Sequence, residues 1–185
     1  MLKIYDLSVN GVLAPAFIPC DAPRFSWKLK SGREGVFQKS YSVTLSAGNE
    51  ILWQSGEVLS ERSVEIACPA ALPPRTDLAL SVAIEDNYGE KAEAALTFAT
   101  ALNPSDWKAK WIRPQRYLES WAPYLRTKFA LFDKKIASAR LYAAGLGCGE
   151  FTLNGKKISE DLIDPPMTNY EREVLYRVYD VKPYL

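Results

Sequence analysis

Few side chains in this 185-residue chain are equipped for chemistry, because it contains no histidine. The usual general base of serine and cysteine hydrolases, the commonest zinc ligand and the physiological pH switch are therefore all missing. Carboxylates, tyrosines, lysines and three cysteines remain. Glu150, Asp161 and Asp164 lie close together in sequence and could act as a general acid and base or as oxygen ligands for calcium. Solvated turn residues are the default for such a group, and Asp161-Leu162-Ile163-Asp164-Pro165-Pro166 lacks the D-x-D-x-D-G spacing of a calcium loop. Gly145-Leu146-Gly147-Cys148-Gly149 has the glycines of a phosphate loop, but Glu150 and no helical pattern follow. A bend or bulge between strands is its simpler role. Trp107, Trp111 and Trp121, with Tyr124, fit either a flat platform for the C–H face of a sugar ring or the packed seam between two domains. Cys20, Cys68 and Cys148 are odd in number and widely spaced, matching neither a disulfide framework nor a metal motif. They read as small buried hydrophobes, and no cofactor or metal is implied anywhere.

Charge and composition narrow the function further. Lys and Arg number 23 against 22 Asp and Glu, a formal charge of +1 without a basic or acidic block, which argues against a nucleic-acid partner or a lipid surface. With 48% hydrophobic residues the chain can bury a sizeable core in one large or two small domains. Met1-Leu2-Lys3-Ile4-Tyr5-Asp6 lacks the pattern of a signal peptide, and no apolar run is long enough to span a bilayer. The expected location is cytoplasmic.

The elements that must position any site have a period of two. Tyr41, Val43, Leu45 and Ala47 face one way and Ser42, Thr44 and Ser46 the other, the mark of a half-buried strand. Phe25–Leu29, Ser63–Ile66 and Leu78–Ile84 repeat the pattern, and Asp86-Asn87-Tyr88-Gly89 turns the chain into a returning strand over Ala92–Thr100. With Leu2–Val9 and a short strand near Trp53, about seven strands fall in about 100 residues, as in an immunoglobulin-like or fibronectin type III β-sandwich over residues 1–102. Prolines 104, 114 and 123 and the crowded tryptophans mark residues 103–124 as a linker. From 125 to 185 alternation resumes at Leu125–Leu131, Ala139–Ala143, Glu150–Leu153 and Val174–Tyr179, with Asn154-Gly155 as a type I′ hairpin turn. Four strands in about 60 residues make only part of a second, jelly-roll-like β-sandwich. The fold class is all-β, and unpaired strand edges after about residue 125 predict dimerisation or local disorder.

Taken in order, these segments resemble the N-terminal part of bacterial alpha-L-rhamnosidases of glycoside hydrolase family 78. The resemblance runs through Pro23-Arg24-Phe25-Ser26-Trp27, Gln38-Lys39-Ser40-Tyr41 and Trp53-Gln54-Ser55-Gly56. It continues through Pro104-Ser105-Asp106-Trp107-Lys108-Ala109-Lys110-Trp111-Ile112, Pro123-Tyr124-Leu125-Arg126 and Ala139-Arg140-Leu141-Tyr142. Gly145-Leu146-Gly147, Leu153-Asn154-Gly155, Thr168-Asn169-Tyr170 and Tyr179-Asp180-Val181 complete it. It implies a fibronectin type III-like domain followed by the start of a β-sandwich that, in the family, precedes an (α/α)6 barrel holding the catalytic carboxylates. On that implication no catalytic residue falls on this chain, and the (α/α)6 barrel is its missing C-terminal partner. Leu78 and Leu80 stand where the family usually has Tyr and Trp, which argues against a tyrosine corner.

Three functions follow as expectations. The first is a non-catalytic accessory region of an enzyme that cleaves terminal alpha-L-rhamnose by an inverting two-carboxylate mechanism. The second is a module that binds a rhamnoside carbohydrate through Trp107, Trp111 and Trp121. The third is an interaction protein that lends a sheet edge to a partner, a second copy of itself included.

Overall fold

The computed structural model describes residues 1–15, 17–115 and 122–185. Backbone packing divides them into two units, Met1–Trp111 and Ile112–Leu185. Both are built of β-strands, and the two 3₁₀ turns, Pro104–Asp106 and Lys182–Tyr184, are the helical elements among the described residues. Among the described residues no helix is long and apolar enough to cross a membrane.

The first unit contains β1 (Lys3–Val9), β2 (Phe17–Ile18), β3 (Arg24–Lys30), β4 (Gln38–Ala47), β5 (Glu50–Gln54), β6 (Val58–Leu59), β7 (Ile66–Ala67), β8 (Asp77–Asp86) and β9 (Lys91–Thr100). One sheet has the order β1-β3-β7, and the other runs β2-β9-β8-β4-β5 with β6 also pairing with β4. The inward positions fill one core. β8 supplies Leu78, Leu80, Val82 and Ile84, β4 supplies Tyr41, Val43 and Leu45, and β3 supplies Phe25 and Trp27, all buried. Leu78 and Leu80 thus serve as core leucines. Alternation drives this arrangement because side chains two apart on a strand share a face.

Three details depart from simple alternation. From Leu2 through β1 the buried apolar residues change parity, from Leu2 and the partly buried Ile4 to Leu7 and Val9. The register against β3 shifts between Tyr5 and Ser8, and Asp6 sits at φ 51°. A bulge that leaves one residue unpaired turns the following side chains to the other face. The strand expected over Ser63–Ile66 is reduced to β7, because Glu65 takes φ 55° and the Ser63 carbonyl accepts the Trp27 N–H at 2.9 Å outside any ladder. The third is Gln38, 1% exposed, which accepts the Trp27 indole N–H at 2.9 Å and donates to the Ser60 and Arg62 carbonyls at 2.9 and 3.0 Å. A buried amide with its polar atoms satisfied joins both sheets and a loop at little desolvation cost.

The second unit is slighter. β10 (Arg140–Ala144) pairs antiparallel with β13 (Tyr176–Asp180), and β11 (Thr152–Leu153) pairs with β12 (Lys156–Lys157). Asn154 and Gly155 take φ of 50° and 77° between the last two, as a type I′ turn requires. The Asn154 side-chain amide donates to the Tyr184 carbonyl at 2.8 Å, tying the hairpin tip to the final 3₁₀ turn. Ala143, Ile158, Tyr179 and Val181 form the core, with Ala139, Phe151, Leu153 and Tyr184 against it. The strand expected over Leu125–Leu131 does not form: these residues lie outside every described ladder and are exposed throughout. An alternating sequence makes a strand only where a neighbouring edge accepts its N–H and C=O groups.

Candidate functional site

The best-built polar cluster of the described chain lies in the second unit, around a carboxylate expected to be a solvated turn residue. Asp164 is 3% exposed. Arg177 and Tyr179 are two apart on β13 and therefore share the face on which Ala143 and Leu141 lie opposite them on β10. From that face the Arg177 Nε donates to Asp164 Oδ1 at 2.6 Å, and the Tyr179 hydroxyl donates to Asp164 Oδ2. A further guanidinium nitrogen of Arg177 reaches Asp161 at 3.2 Å. Each oxygen of the buried carboxylate thus has a donor, one of them charged, which is what a carboxylate needs to remain in a dry place.

The loop bearing Asp164 is held at its other side too. Gly149 and Asp164 form an antiparallel bridge, and the Gly149 N–H donates to the Asp164 carbonyl at 2.9 Å. A side chain at Gly145 would meet the Gly147 carbonyl oxygen at 3.1 Å and the Pro165 ring at 3.5 Å. The glycine run therefore makes a bend against the Asp164 loop, with a tight fit for a Cβ at Gly145. Burial and the adjacent Asp164 carboxylate push the Tyr179 hydroxyl up to about 12, and the same carboxylate raises Arg177 further above its ordinary value. Such a phenol stays protonated and acts as a fixed donor. The arrangement joins a loop to a strand; a carboxylate closed off by Arg177 and Tyr179 has no free face for a reacting group.

Of the other acidic residues, Glu150 is exposed and pairs with Lys157 at 3.1 Å, and Asp161 is exposed beside Arg177. Arg177 thus brings Asp161 and Asp164 together, whereas Glu150 forms a separate surface ion pair with Lys157. No group of three or more potential metal-ligating side chains occurs among the described residues.

The aromatic residues are placed as follows. Trp107 is half-buried at the end of the 3₁₀ turn Pro104–Asp106, its N–H donating to the Pro104 carbonyl at 3.3 Å. Trp111 is 64% exposed at the end of the first unit, and Tyr124, 83% exposed, belongs to the second. Trp121 lies outside the described residues. Cys20 and Cys68 are buried as expected, and burial raises both thiols. Cys148 corrects that expectation: it is exposed, set between Gly147 at φ 121° and Gly149 on the outside of the bend.

Residues 4–104 match the family model described as Rha78A-like, N-terminal immunoglobulin domain. This chain belongs to that family. Residues 134–185 of this rhamnosidase-type chain match a second model, the alpha-L-rhamnosidase N-terminal domain. An alpha-L-rhamnosidase of Formosa agariphila is 26% identical over 94% of the chain but only 22% of its own length. The solved structure of alpha-L-rhamnosidase from Dictyoglumus thermophilum superposes with a TM-score of 0.84 at 32% identity, over 98% of this chain and 23% of that one. The enzyme from Aspergillus terreus, at 23% identity and a TM-score of 0.82 over 100% of this chain and 22% of that one, shares the fold. The chain therefore corresponds to the N-terminal region of alpha-L-rhamnosidases and spans about a fifth of the length of the curated relatives it matches over most of its own.

The Asp164–Arg177–Tyr179 cluster was missed by sequence reasoning. Arg177 and Tyr179 at i and i+2 on one strand signalled a shared face, but nothing in the sequence paired that face with a loop residue 13 positions away.

Proposed function

We propose that this chain is the non-catalytic N-terminal accessory region of an alpha-L-rhamnosidase, with residues 1–102 and 125–185 as its two β domains and 103–124 between them. The parent enzyme, on this reading, removes terminal alpha-L-rhamnose by an inverting mechanism. One carboxylic acid protonates the leaving oxygen, another carboxylate activates water on the opposite face, and both belong to a barrel outside these residues. The observation that carries the reading is the succession of two N-terminal domain models along one chain whose relatives are about five times as long. The commitment of Asp164 to Arg177 and Tyr179 supports a scaffold role for this buried acidic residue. Cytoplasmic location is part of the same proposal.

The test is twofold. Purified chain is expected to release no aryl alcohol from an aryl alpha-L-rhamnoside, and turnover that survives purification and follows this chain overturns the accessory reading. The reading frame is expected to run on past the codon for Leu185 into a domain rich in helices; a stop codon there overturns the parent.

A second reading is favoured by one observation, the 64% exposure of Trp111. An exposed indole offers a flat apolar face to a sugar ring. A ¹H–¹⁵N titration with L-rhamnose, repeated on Trp111→Ala and Trp107→Ala, is expected to give shifts beside Trp111 that disappear in the first variant; an unmoved spectrum rejects sugar binding.

A further inference from the structure

The chain contains two Asn-Gly pairs, Asn10-Gly11 and Asn154-Gly155. Such a pair can react with itself, because the glycine amide nitrogen lies close to the asparagine side-chain carbonyl carbon and a residue without a β-carbon leaves the approach open. Both pairs occupy turns with the same backbone angles, φ 50° at the asparagine and 77° at the glycine, and both asparagines are exposed. Residue type and local turn geometry do not tell them apart, but their surroundings do.

Asn10 is held on two sides. Its N–H donates to the Arg24 carbonyl at 2.8 Å, and its Oδ1 accepts the Arg24 N–H at 2.9 Å. Val9, just before it, is 0% exposed and belongs to the core of the first unit. Freeing Asn10 therefore means loosening that core. Asn154 closes a ladder of two residue pairs, Thr152 with Lys157 and Leu153 with Lys156. Leu153 is only partly buried and Lys156 is exposed. One hydrogen bond holds its side chain, from Nδ2 to the Tyr184 carbonyl at 2.8 Å. Attack on the side-chain carbon needs an opened turn, and a short ladder with little buried area opens at lower free energy.

We propose that Asn154-Gly155 is a site of spontaneous deamidation, and that its conversion releases the final 3₁₀ turn from the β11–β12 hairpin. The Gly155 amide nitrogen gives its proton to solvent base and forms a bond to Asn154 Cγ. The Cγ–Nδ2 bond then breaks, Nδ2 leaves as ammonia, and a five-membered succinimide remains. One water molecule opens the ring at either carbonyl, leaving aspartate or isoaspartate at position 154. The outcome follows from which atom the fold uses. At Asn154 it uses the donor, Nδ2, and a carboxylate has only acceptors to set against the Tyr184 carbonyl. At Asn10 it uses the acceptor, Oδ1, which an aspartate retains. Deamidation is thus a one-way switch at the second turn, whereas the first is both better protected and indifferent to the change.

Peptide mapping by mass spectrometry, on the purified chain held in mildly alkaline buffer, tests the site. Conversion at Asn154 is expected to run at least about 10-fold faster than at Asn10, the ratio reflecting how much more readily the second turn opens. Comparable rates, faster conversion at Asn10, or none at Asn154 overturns the proposal. Amide exchange on Asn154→Asp and Asn10→Asp tests the consequence. The Tyr184 and Leu185 amides donate to the Val181 and Lys182 carbonyls within the final turn. In Asn154→Asp they are expected to exchange about 5-fold faster, as the loss of one hydrogen bond implies. In Asn10→Asp the Arg24 amide is expected to keep its protection. Unchanged exchange at Tyr184 and Leu185 overturns the release, and lost protection at Arg24 overturns the distinction between the turns. If Asn154→Asp does not fold, Asn154→Gly, which suits the positive φ and removes the donor without adding charge, is read in the same way.

Discussion

The two units use the same element, the alternating strand, and differ in how far burial is carried through. In Met1–Trp111 eighteen buried residues form one cluster between two sheets; in Ile112–Leu185 four do, among the described residues. The first unit is organised around apolar area, with a single amide, Gln38, tying its layers at the centre. The second is organised around an ion pair and a phenol, with Asp164 linking a loop to β13, while Leu125, Phe129, Leu131, Leu146, Leu162 and Ile163 remain in water. Polar tethers therefore carry more of the ordering where the apolar core is small. They are directional but contribute modestly net of desolvation.

The largest expected effect is in the first unit. Trp27→Ala removes an indole that is 1% exposed, packs edge-on against Tyr41 at 5.4 Å and donates to Gln38. It is expected to cost about 3–5 kcal/mol. Amide exchange resolved by unit is expected to show the loss in residues 1–111; an equal loss in 112–185 would mean that the two cores unfold together and the contrast between them is false.

Asp164→Ala is expected to cost the second unit about 1–3 kcal/mol, since the Tyr179 hydroxyl is left buried without its acceptor. Residues 159–168 should exchange faster and the first unit should not change. An unaltered second unit would show that its small apolar core suffices alone.

The same cluster gives a pH signature that sharpens the comparison. The Tyr179 hydroxyl titrates higher in the folded chain, at about 12, than its ordinary value of 10.0. A raised folded value contributes stability that is fully present below pH 10 and is lost as pH rises through about 12. The second unit is expected to weaken over that window, as followed by phenolate absorbance and exchange of its amides. Tyr179→Phe should flatten the alkaline loss; an equally steep loss in that variant assigns it elsewhere.

The smallest effect is Gly155→Ala. With φ at 77° the turn asks a β-carbon to enter the left-handed region, at about 1 kcal/mol. Loss of the β11–β12 amide protection with β10 and β13 unchanged is the expected outcome, and a neutral substitution would mean the hairpin is dispensable to this core.

Much of the first unit was legible because strands β3, β4, β8 and β9 repeat one simple rule over seven to ten residues, and the turn at Asp86–Gly89 follows from its residue types. The hairpin at Asn154-Gly155 was legible for the same local reason. The bulge at Asp6, the shortening of β7 and the idle segment 124–132 were not, because each depends on what lies across the ladder. The cluster around Asp164 was hidden too: a carboxylate before two prolines looks like any surface turn until β13 brings a guanidinium and a phenol to the same spot.

By itself the sequence determined the β class, the alternation that sorts core from surface, the positive-φ turn at Asn154-Gly155 and the resemblance to rhamnosidase N-terminal regions. These depend on residue type and short spacing, where steric and solvation preferences act along the chain. Only tertiary structure decided that Gln38 lies at the centre of one unit and Asp164 in the interior of the other, and that Leu125–Leu131 lies outside every ladder among the described residues. Burial of a polar group and pairing of a strand edge depend on residues far away in sequence, and the free energy of each is set by the neighbour it finds.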